Sequence, residues 1–374
     1  MSALELNMVE KMLLALLRSS LHQKEAETVF FSNVSLEEWK QCYQLAAQHG
    51  VMALAWEGVM TLPDALRPPK ALKVNWGLAV EDYERKYRRY CRTDDKLSKF
   101  YAKHGIAMVQ LKGVGYSHLY SIPSHREGGD IDIYTFAAEG SGMTDAEANA
   151  LADRLMLEKG IDVDMSHNVK HSCFTYQGIT IENHKAFLDV EQYDVAPLVE
   201  KILKRCMDPQ ITSLDEGQVL TPSVAFNTIF IAFHALGHFP GLLTLHHLYD
   251  WAVLIKRYGV QLPDELKDKS LLDGIAALTH LCNEFLGTSV PVERGKETSE
   301  IIKVDMLRPK YPNNVPVSGK IAILIFKTKR MLHAYRLKNI IMHYPLWKCI
   351  WGSIVTHIKE PKTIFNRKHH CFFL

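Results

Sequence analysis

Gly128-Gly129-Asp130-Ile131-Asp132-Ile133-Tyr134 carries two carboxylates two residues apart in an alternating stretch. Side chains on a strand alternate between faces. Asp130 and Asp132 are therefore expected on one strand face, roughly 6.5–7 Å apart along the backbone, with Ile131 and Ile133 turned to a core. Two such carboxylates can converge on metal ions about 3.5–4 Å apart. Oxygen ligands with no nearby cysteine favour magnesium or manganese. A solvated strand end has the same look, so the neighbours decide the reading.

Lys112-Gly113 stands one strand and one short helix upstream. Its backbone amides open a helix, which suits an anion. Arg126 precedes the strand and can fork onto a phosphate. A lysine, a helix N-terminus, an arginine and two carboxylates together suit a magnesium–triphosphate. A third carboxylate is expected on a neighbouring strand, and Ile179-Thr180-Ile181-Glu182-Asn183-His184 offers Glu182. Glu182 shares a face with Thr180 and His184, where it can ligate metal or take a proton from an incoming hydroxyl. The runner-up is Asp189 with Glu191, beyond the clear strand.

These residues need elements to hold them. Leu6, Val9, Leu13, Leu16 and Leu17 recur at helical spacing. Ser35 caps a second helix closed by Gly50, and Val51–Met60 forms a third. A long charged helix spans about Lys70 to His104, stopped by Gly105. The character then changes. Ala107–Leu111 reads as a buried strand, Val114–Tyr120 as a short helix and Asp130–Phe136 as a strand. Thr144 and Glu147 form a capping box for a helix to Lys159. His171–Gln177, Gly178 and Ile179–His184 read as a hairpin. After about Val195 the chain reads as helical, with helices at Val224–His238, Leu242–Tyr258 and Leu271–Phe285. The charge- and proline-rich stretch Glu293–Pro316 reads as a loop, and the last sixty residues as basic, aromatic and partly helical. The fold class expected is α+β: a mixed sheet with flanking helices between helical regions. The domain expectation is an N-terminal helical region 1–104, an α+β core 105–195, a helical domain 196–290 and a C-terminal region 291–374.

At this point the chain resembles a known family. Leu111-Lys112-Gly113, a short helix ending in Leu119-Tyr120, then Arg126 and Asp130-Ile131-Asp132-Ile133 is similar to the signature of a bacterial family of uncharacterised nucleotidyltransferases in the DNA polymerase beta-like superfamily. Glu182-Asn183-His184 matches its Glu-x-His strand. Phe233-His234-Ala235-Leu236-Gly237-His238 and Leu248-Tyr249-Asp250-Trp251 match its paired histidines and later aspartate. The likeness covers residues 1 to 290. It implies a minimal nucleotidyltransferase fold and two-metal transfer of a nucleoside monophosphate. Many superfamily members bind phosphates with a Gly-Ser turn; this chain has Lys112-Gly113, with Ser117 further on. Gly128-Gly129 can hold backbone close to phosphate. The resemblance supplies no acceptor.

The resulting expectation is a magnesium- or manganese-dependent nucleotidyltransferase. Asp130, Asp132 and Glu182 are its catalytic and metal-binding residues, and Lys112, Gly113, Arg126 and Gly129 its phosphate-binding ones. His184, His238 and Asp250 are candidates to line the cleft. The nucleotide is an NTP, with ATP the first choice. The alternative is a non-catalytic NTP-binding sensor or regulatory protein on the same fold. A third reading, a zinc site on His234, His238 and His246 or His247, lacks a Glu after His234. His167, Lys170 and His171 precede the hairpin as a basic group able to contact a phosphate or the acceptor, though a plain loop is the simpler reading. Trp347 and Trp351 lie in a cationic region suited to nucleic acid or a membrane surface, though packing against the core is the plainer reading.

The 374 residues, 47% hydrophobic and 23% charged with a net charge of +2, suit an ordinary globular protein. Seven scattered cysteines without a CxxC pair exclude a disulfide scaffold or zinc ribbon. The N-terminus lacks the pattern of a signal peptide, and no apolar run reaches membrane length. A cytoplasmic protein is expected.

Overall fold

The computed structural model describes residues 4–165, 170–312, 314–359 and 361–366. The chain divides into two compact units. The first comprises Met1–Asp189, Ile202–Asn227 and Phe285–Gly287; the second comprises Val190–Lys201, Thr228–Glu284 and Thr288–Leu374.

The first unit begins with helices α1 (Met8–His22), α2 (Leu36–Gln48), α3 (Met52–Thr61) and α4 (Lys70–Ala102). Ser35 and Glu38 close a capping box on α2, as the sequence predicts, and Gly50 takes φ +66° just past its end. The first and third helices pack closely because Gly58 has no side chain: a Cβ there would stand 2.4 Å from the Leu16 carbonyl oxygen.

Seven strands follow: β1 (Ile106–Gln110), β2 (Ile131–Ala137), β3 (Val163–Asp164), β4 (His171–Tyr176), β5 (Ile179–His184), β6 (Gln210–Ser213) and β7 (Gln218–Thr221). Interspersed are the one-turn helix α5 (Val114–Ser117), α6 (Asp145–Glu158) and α7 (Ala196–Cys206). The sheet order is β3-β4-β5-β2-β1-β7-β6. Strand β2 runs antiparallel to β1 and parallel to β5, and β1 runs parallel to β7. The expected α+β mixed sheet flanked by helices is present. Gln177 and Gly178, at φ +52° and +71°, turn the β4–β5 hairpin in the tight two-residue manner.

Three local expectations need correction. Strand β2 begins at Ile131, so Asp130 sits in the bend before it. Helix α5 stops at Ser117 rather than Tyr120; Leu119 and Tyr120 bond back three residues, to Tyr116 and Ser117, in the tighter 3₁₀ manner. The segment after Val195, read as helical, contains the β6–β7 hairpin.

One sheet face is the core. Ile106, Met108, Ile131, Ile133, Phe174, Ile179 and Ile181 pack there with Tyr87, Leu97 and Tyr101 of α4 and Ala152 and Met156 of α6. A polar cluster lies on this face. Asn183 donates to Asp153 Oδ1 (2.9 Å) and accepts from Thr135 Oγ1 (2.9 Å) and Asn149 Nδ2 (3.1 Å), while Ser172 Oγ donates to Asp153 (2.7 Å). It ties β2, β5 and β4 to α6 by hydrogen bonds that leave few buried polar atoms unmatched.

The second unit is helical: the first part of α7, the remainder of α8 (Val224–His238), α9 (Leu245–Tyr258), most of α10 (Lys269–Leu286), α11 (Lys296–Leu307), α12 (Lys320–Ile341) and α13 (Leu346–Lys359). Helix α11 lies inside the stretch read as a loop. The prolines of that stretch, Pro309, Pro312 and Pro316, all follow the helix and do not interrupt it. Lys338, fully buried, anchors α12 by donating to the carbonyls of Leu236, Gly237 and Phe239 at 2.6–2.8 Å. Those carbonyls end α8, where a cation is favoured. No helix among the described residues is long and apolar enough to cross a membrane.

Candidate active site

The opposite face of the sheet carries the polar residues. The register of β2 on β5 pairs Asp132 with Glu182 and Tyr134 with His184. The antiparallel register of β4 on β5 pairs His171 with His184 and Cys173 with Glu182. Because paired residues point the same way, Asp132, Glu182, His184 and His171 stand on one face. One ligand atom from each of Asp132, Glu182 and His184 lies within 4.8 Å of the other two.

Lys112, just past β1, reaches this group: its Nζ is 3.2 Å from Asp132 Oδ2. His184 Nε2 is 3.1 Å from Asp132 Oδ1 and 3.6 Å from Glu182 Oε2. His171 Nε2 is 3.4 Å from the same Glu182 oxygen. His184 Nδ1 faces the Ala186 carbonyl at 3.2 Å and must donate to it. Its Nε2 then looks at two carboxylates, neither of which donates when ionised. That position calls for a proton or a metal cation. Among the described residues Asp132 Oδ2 is buried without a hydrogen-bond partner, with the Lys112 charge 3.2 Å away. The donor set fits a divalent ion.

The electrostatics agree. Burial works to raise the Asp132 pKa, but the Lys112 charge and the His184 hydrogen bond outweigh it and hold the carboxyl far below the usual carboxylate range. Burial likewise works against the Lys112 charge, and Asp132, Asp130 and Glu182 together overcome it, so Lys112 stays protonated. Burial raises Asp130, and the Asp132 charge adds to that. Burial also lowers Lys170, with Lys112 adding to the effect, and Asp132 and Glu182 oppose it. Lys170, read from sequence as a loop residue, thus belongs to the field of this site. His167 lies outside the described residues.

Gly113 takes φ +67°, a conformation natural to glycine, and its Cβ position would lie 3.5 Å from the Asp130 carbonyl oxygen. With only one helical turn after it, the dipole is slight, and the anion attraction expected here comes from Lys112. Arg126 is nearly buried, lies over the Tyr116 ring at 5.6 Å, and shares with Gly113 and Ser117 a cavity of about 210 Å³ lined by Tyr83, Tyr87 and Tyr90. The Gly129 carbonyl accepts from Tyr90 Oη at 2.8 Å, and that of Gly128 from Lys86. A Cβ on Gly128 or Gly129 would touch nothing, so this loop is open to a ligand's approach. Asp189 and Glu191 lie past the ladder and outside the register.

His238 and Asp250 belong to the second unit. His234, His238 and His247 bring ligand nitrogens within 4.8 Å of one another, whereas His246 Nε2 lies 3.6 Å from Asp250 Oδ2. His247 Nδ1 also accepts from the Thr244 backbone N–H at 3.1 Å, capping α9. A helix-capping role thus accounts for one of the three histidines proposed for zinc.

Residues 35–287 match the model of a family described as uncharacterised nucleotidyltransferases, and the chain belongs to that family. No curated protein and no solved structure gives a match to the chain. The family begins at the Ser35 cap of α2 and takes in the whole sheet with its Lys112, Asp132 and Glu182. It makes the chain a member of a transferase family that handles nucleotides.

Proposed function

We propose that the protein transfers a nucleoside monophosphate from an NTP to an acceptor hydroxyl, with Asp130, Asp132 and Glu182 as its acidic centre. The pairing of Asp132 with Glu182 across β2 and β5, capped by Lys112, carries this reading. Asp132, Glu182 and Asp130 would hold magnesium or manganese, with His184 a further donor. An imidazole in the set suits manganese at least as well as magnesium. A divalent ion bound there supplies Lewis-acid polarisation of phosphoryl oxygens. The nearby DNA polymerase beta-like superfamily is the expected relation, and two ions the expected number.

The protein's own groups divide the remaining work. Lys112 neutralises the triphosphate, and Arg126 and the Gly113 and Gly129 backbone orient it. Glu182 accepts the proton of the acceptor hydroxyl as its oxygen bonds to the α-phosphorus. The bond from the α-phosphorus to the α–β bridging oxygen breaks, and pyrophosphate leaves. ATP is the first nucleotide to try. For His238 and Asp250 the proposed role is recognition of the acceptor. A cytoplasmic setting suits a reaction that draws on NTP. A non-catalytic sensor would have no need of all three carboxylates, and their joint presence favours an enzyme.

The test is incorporation of α-labelled NTP into components of a cell extract with magnesium or manganese. Labelling that depends on the wild-type protein and vanishes with Asp130→Asn/Asp132→Asn supports the proposal. Labelling that survives the double substitution defeats it. NTP binding without transfer favours the sensor.

A further inference from the structure

The hairpin of α12 and α13 lies beyond the family-matched segment, and none of the site residues named above is on it. On α13, Trp347, Ile350, Trp351, Ile354 and Ile358 recur three and four residues apart, which makes one helical stripe. Core packing is the plainer expectation for the two tryptophans, yet Trp347 is 65% exposed, Trp351 60% and Ile358 72%, while Cys349 on the other side is buried. On α12, Ile321 is 77% exposed, and Leu324 and Ile325 are exposed with it. Ile323, Arg330 and Lys338 of the same helix face inward. Leu324, Ile350 and Ile354 line one groove between the two helices, so the apolar surfaces of both adjoin. Apolar patches of this extent on a soluble protein mark a contact surface.

The charge around the patch says which contact. Residues 319–366 hold seven lysines and two arginines against a single glutamate, Glu360. The whole chain is only +2, so the rest of it is net negative and the positive charge is concentrated here. Lys320, Lys329, Arg336 and Lys362 are exposed. Pairing this face with a second copy would set one cationic surface against another. A nucleic acid would meet the lysines but gain nothing from an aliphatic stripe. An interface with anionic lipid answers both features: tryptophan and isoleucine enter the headgroup–acyl boundary, and lysines meet the phosphates. The absence of any spanning helix among the described residues fits a helix lying in the interface plane.

We propose that the α12–α13 hairpin docks the protein on the surface of an anionic phospholipid bilayer. Docking is independent of the transfer reaction and is tested without it. The full chain is sedimented with vesicles of phosphatidylcholine alone or mixed with phosphatidylglycerol. Binding to the mixed vesicles should exceed that to phosphatidylcholine by about tenfold or more and weaken with salt. Trp347→Ser/Trp351→Ser/Ile358→Ser should remove it, and so, separately, should Lys320→Glu/Lys329→Glu/Lys362→Glu. All six positions are exposed, and circular dichroism verifies that both variants fold. Failure of the wild type to bind anionic vesicles overturns the proposal. So does binding that ignores lipid charge and both sets of substitutions, or a wild-type dimer that the tryptophan variant turns into a monomer.

Discussion

Asp132 on β2 and Glu182 on β5 are direct register partners in a pair of parallel strands, fifty residues apart in the chain and side by side on the polar face of the sheet. That relationship gathers into one centre what the sequence scatters. Lys112 and His184 then attach to it from β1's end and from two residues along β5, each touching a different oxygen of Asp132.

Lys112 stands 3.2 Å from the otherwise unbonded Asp132 Oδ2, with Lys170 adding to the field, so removal of Lys112 should leave that carboxylate more dependent on a metal ion. Lys112→Met is expected to cut kcat/KM for the NTP roughly a hundredfold, in the range for loss of one preorganised charge. Manganese should also raise its melting temperature more than that of the wild type, because the ion then replaces the missing cation. Equal shifts in the two proteins would contradict this role.

Asn183 works from the opposite face. Its side chain joins Thr135, Asn149 and Asp153, and so fixes how β5 lies against β2. Asn183→Ala strands several buried polar groups and should cost about 1–3 kcal/mol by urea unfolding. Since Lys112 and Arg126, the proposed triphosphate contacts, are untouched, kcat should fall more than KM rises. A variant of unchanged stability would show that the network does not hold the register.

Asp94 on α4 is fully buried, and neither carboxylate oxygen has a partner among the described residues. Burial, helped by the Asp95 charge, pushes its pKa up to about 7 from 3.8. The folded state therefore holds a proton that the unfolded chain has lost, and stability from this residue declines as pH rises between those values. Asp94→Asn should remove that slope and be the more stable protein above neutrality, by roughly 2–4 kcal/mol at about 1.4 kcal/mol per pKa unit. The gap should close below pH 4. A gap that stays constant from pH 4 to pH 8, followed by chemical unfolding, would count against a buried protonated Asp94.

Much of the architecture was legible because it is written in local patterns. Ser35 with Glu38 and Thr144 with Glu147 announce helix starts, and both capping boxes form. Alternation in β2 and β5 separates Ile131 and Ile181 from Asp132 and Glu182. What alternation cannot say is which strand lies next to which, so the Asp132–Glu182 pairing needed the sheet order. It also left Asn183 as a spacer between Glu182 and His184, although its parity puts it on the core face with Ile181. The β6–β7 hairpin was missed because each strand has four residues and mixed polarity; the hint was Asp215-Glu216-Gly217, where Gly217 turns the chain at φ +99°. Composition over residues 293–316 conceals helix α11, because the prolines of that segment all lie outside the helix. The sequence marks Lys170 and His171 only as a basic group ahead of the hairpin; that His171 stands opposite His184 comes from the hairpin register.

Asp132 and Glu182 are proposed to form a centre for transfer at the α-phosphorus. Paired assays with α-labelled and γ-labelled ATP, run on the wild type, Asp132→Asn and Glu182→Gln with manganese, test it most directly. The product should acquire the α label and not the γ label, and each substitution should lower the rate by at least about a hundredfold. Transfer of the γ label, or α-label transfer undiminished by Glu182→Gln, would contradict it.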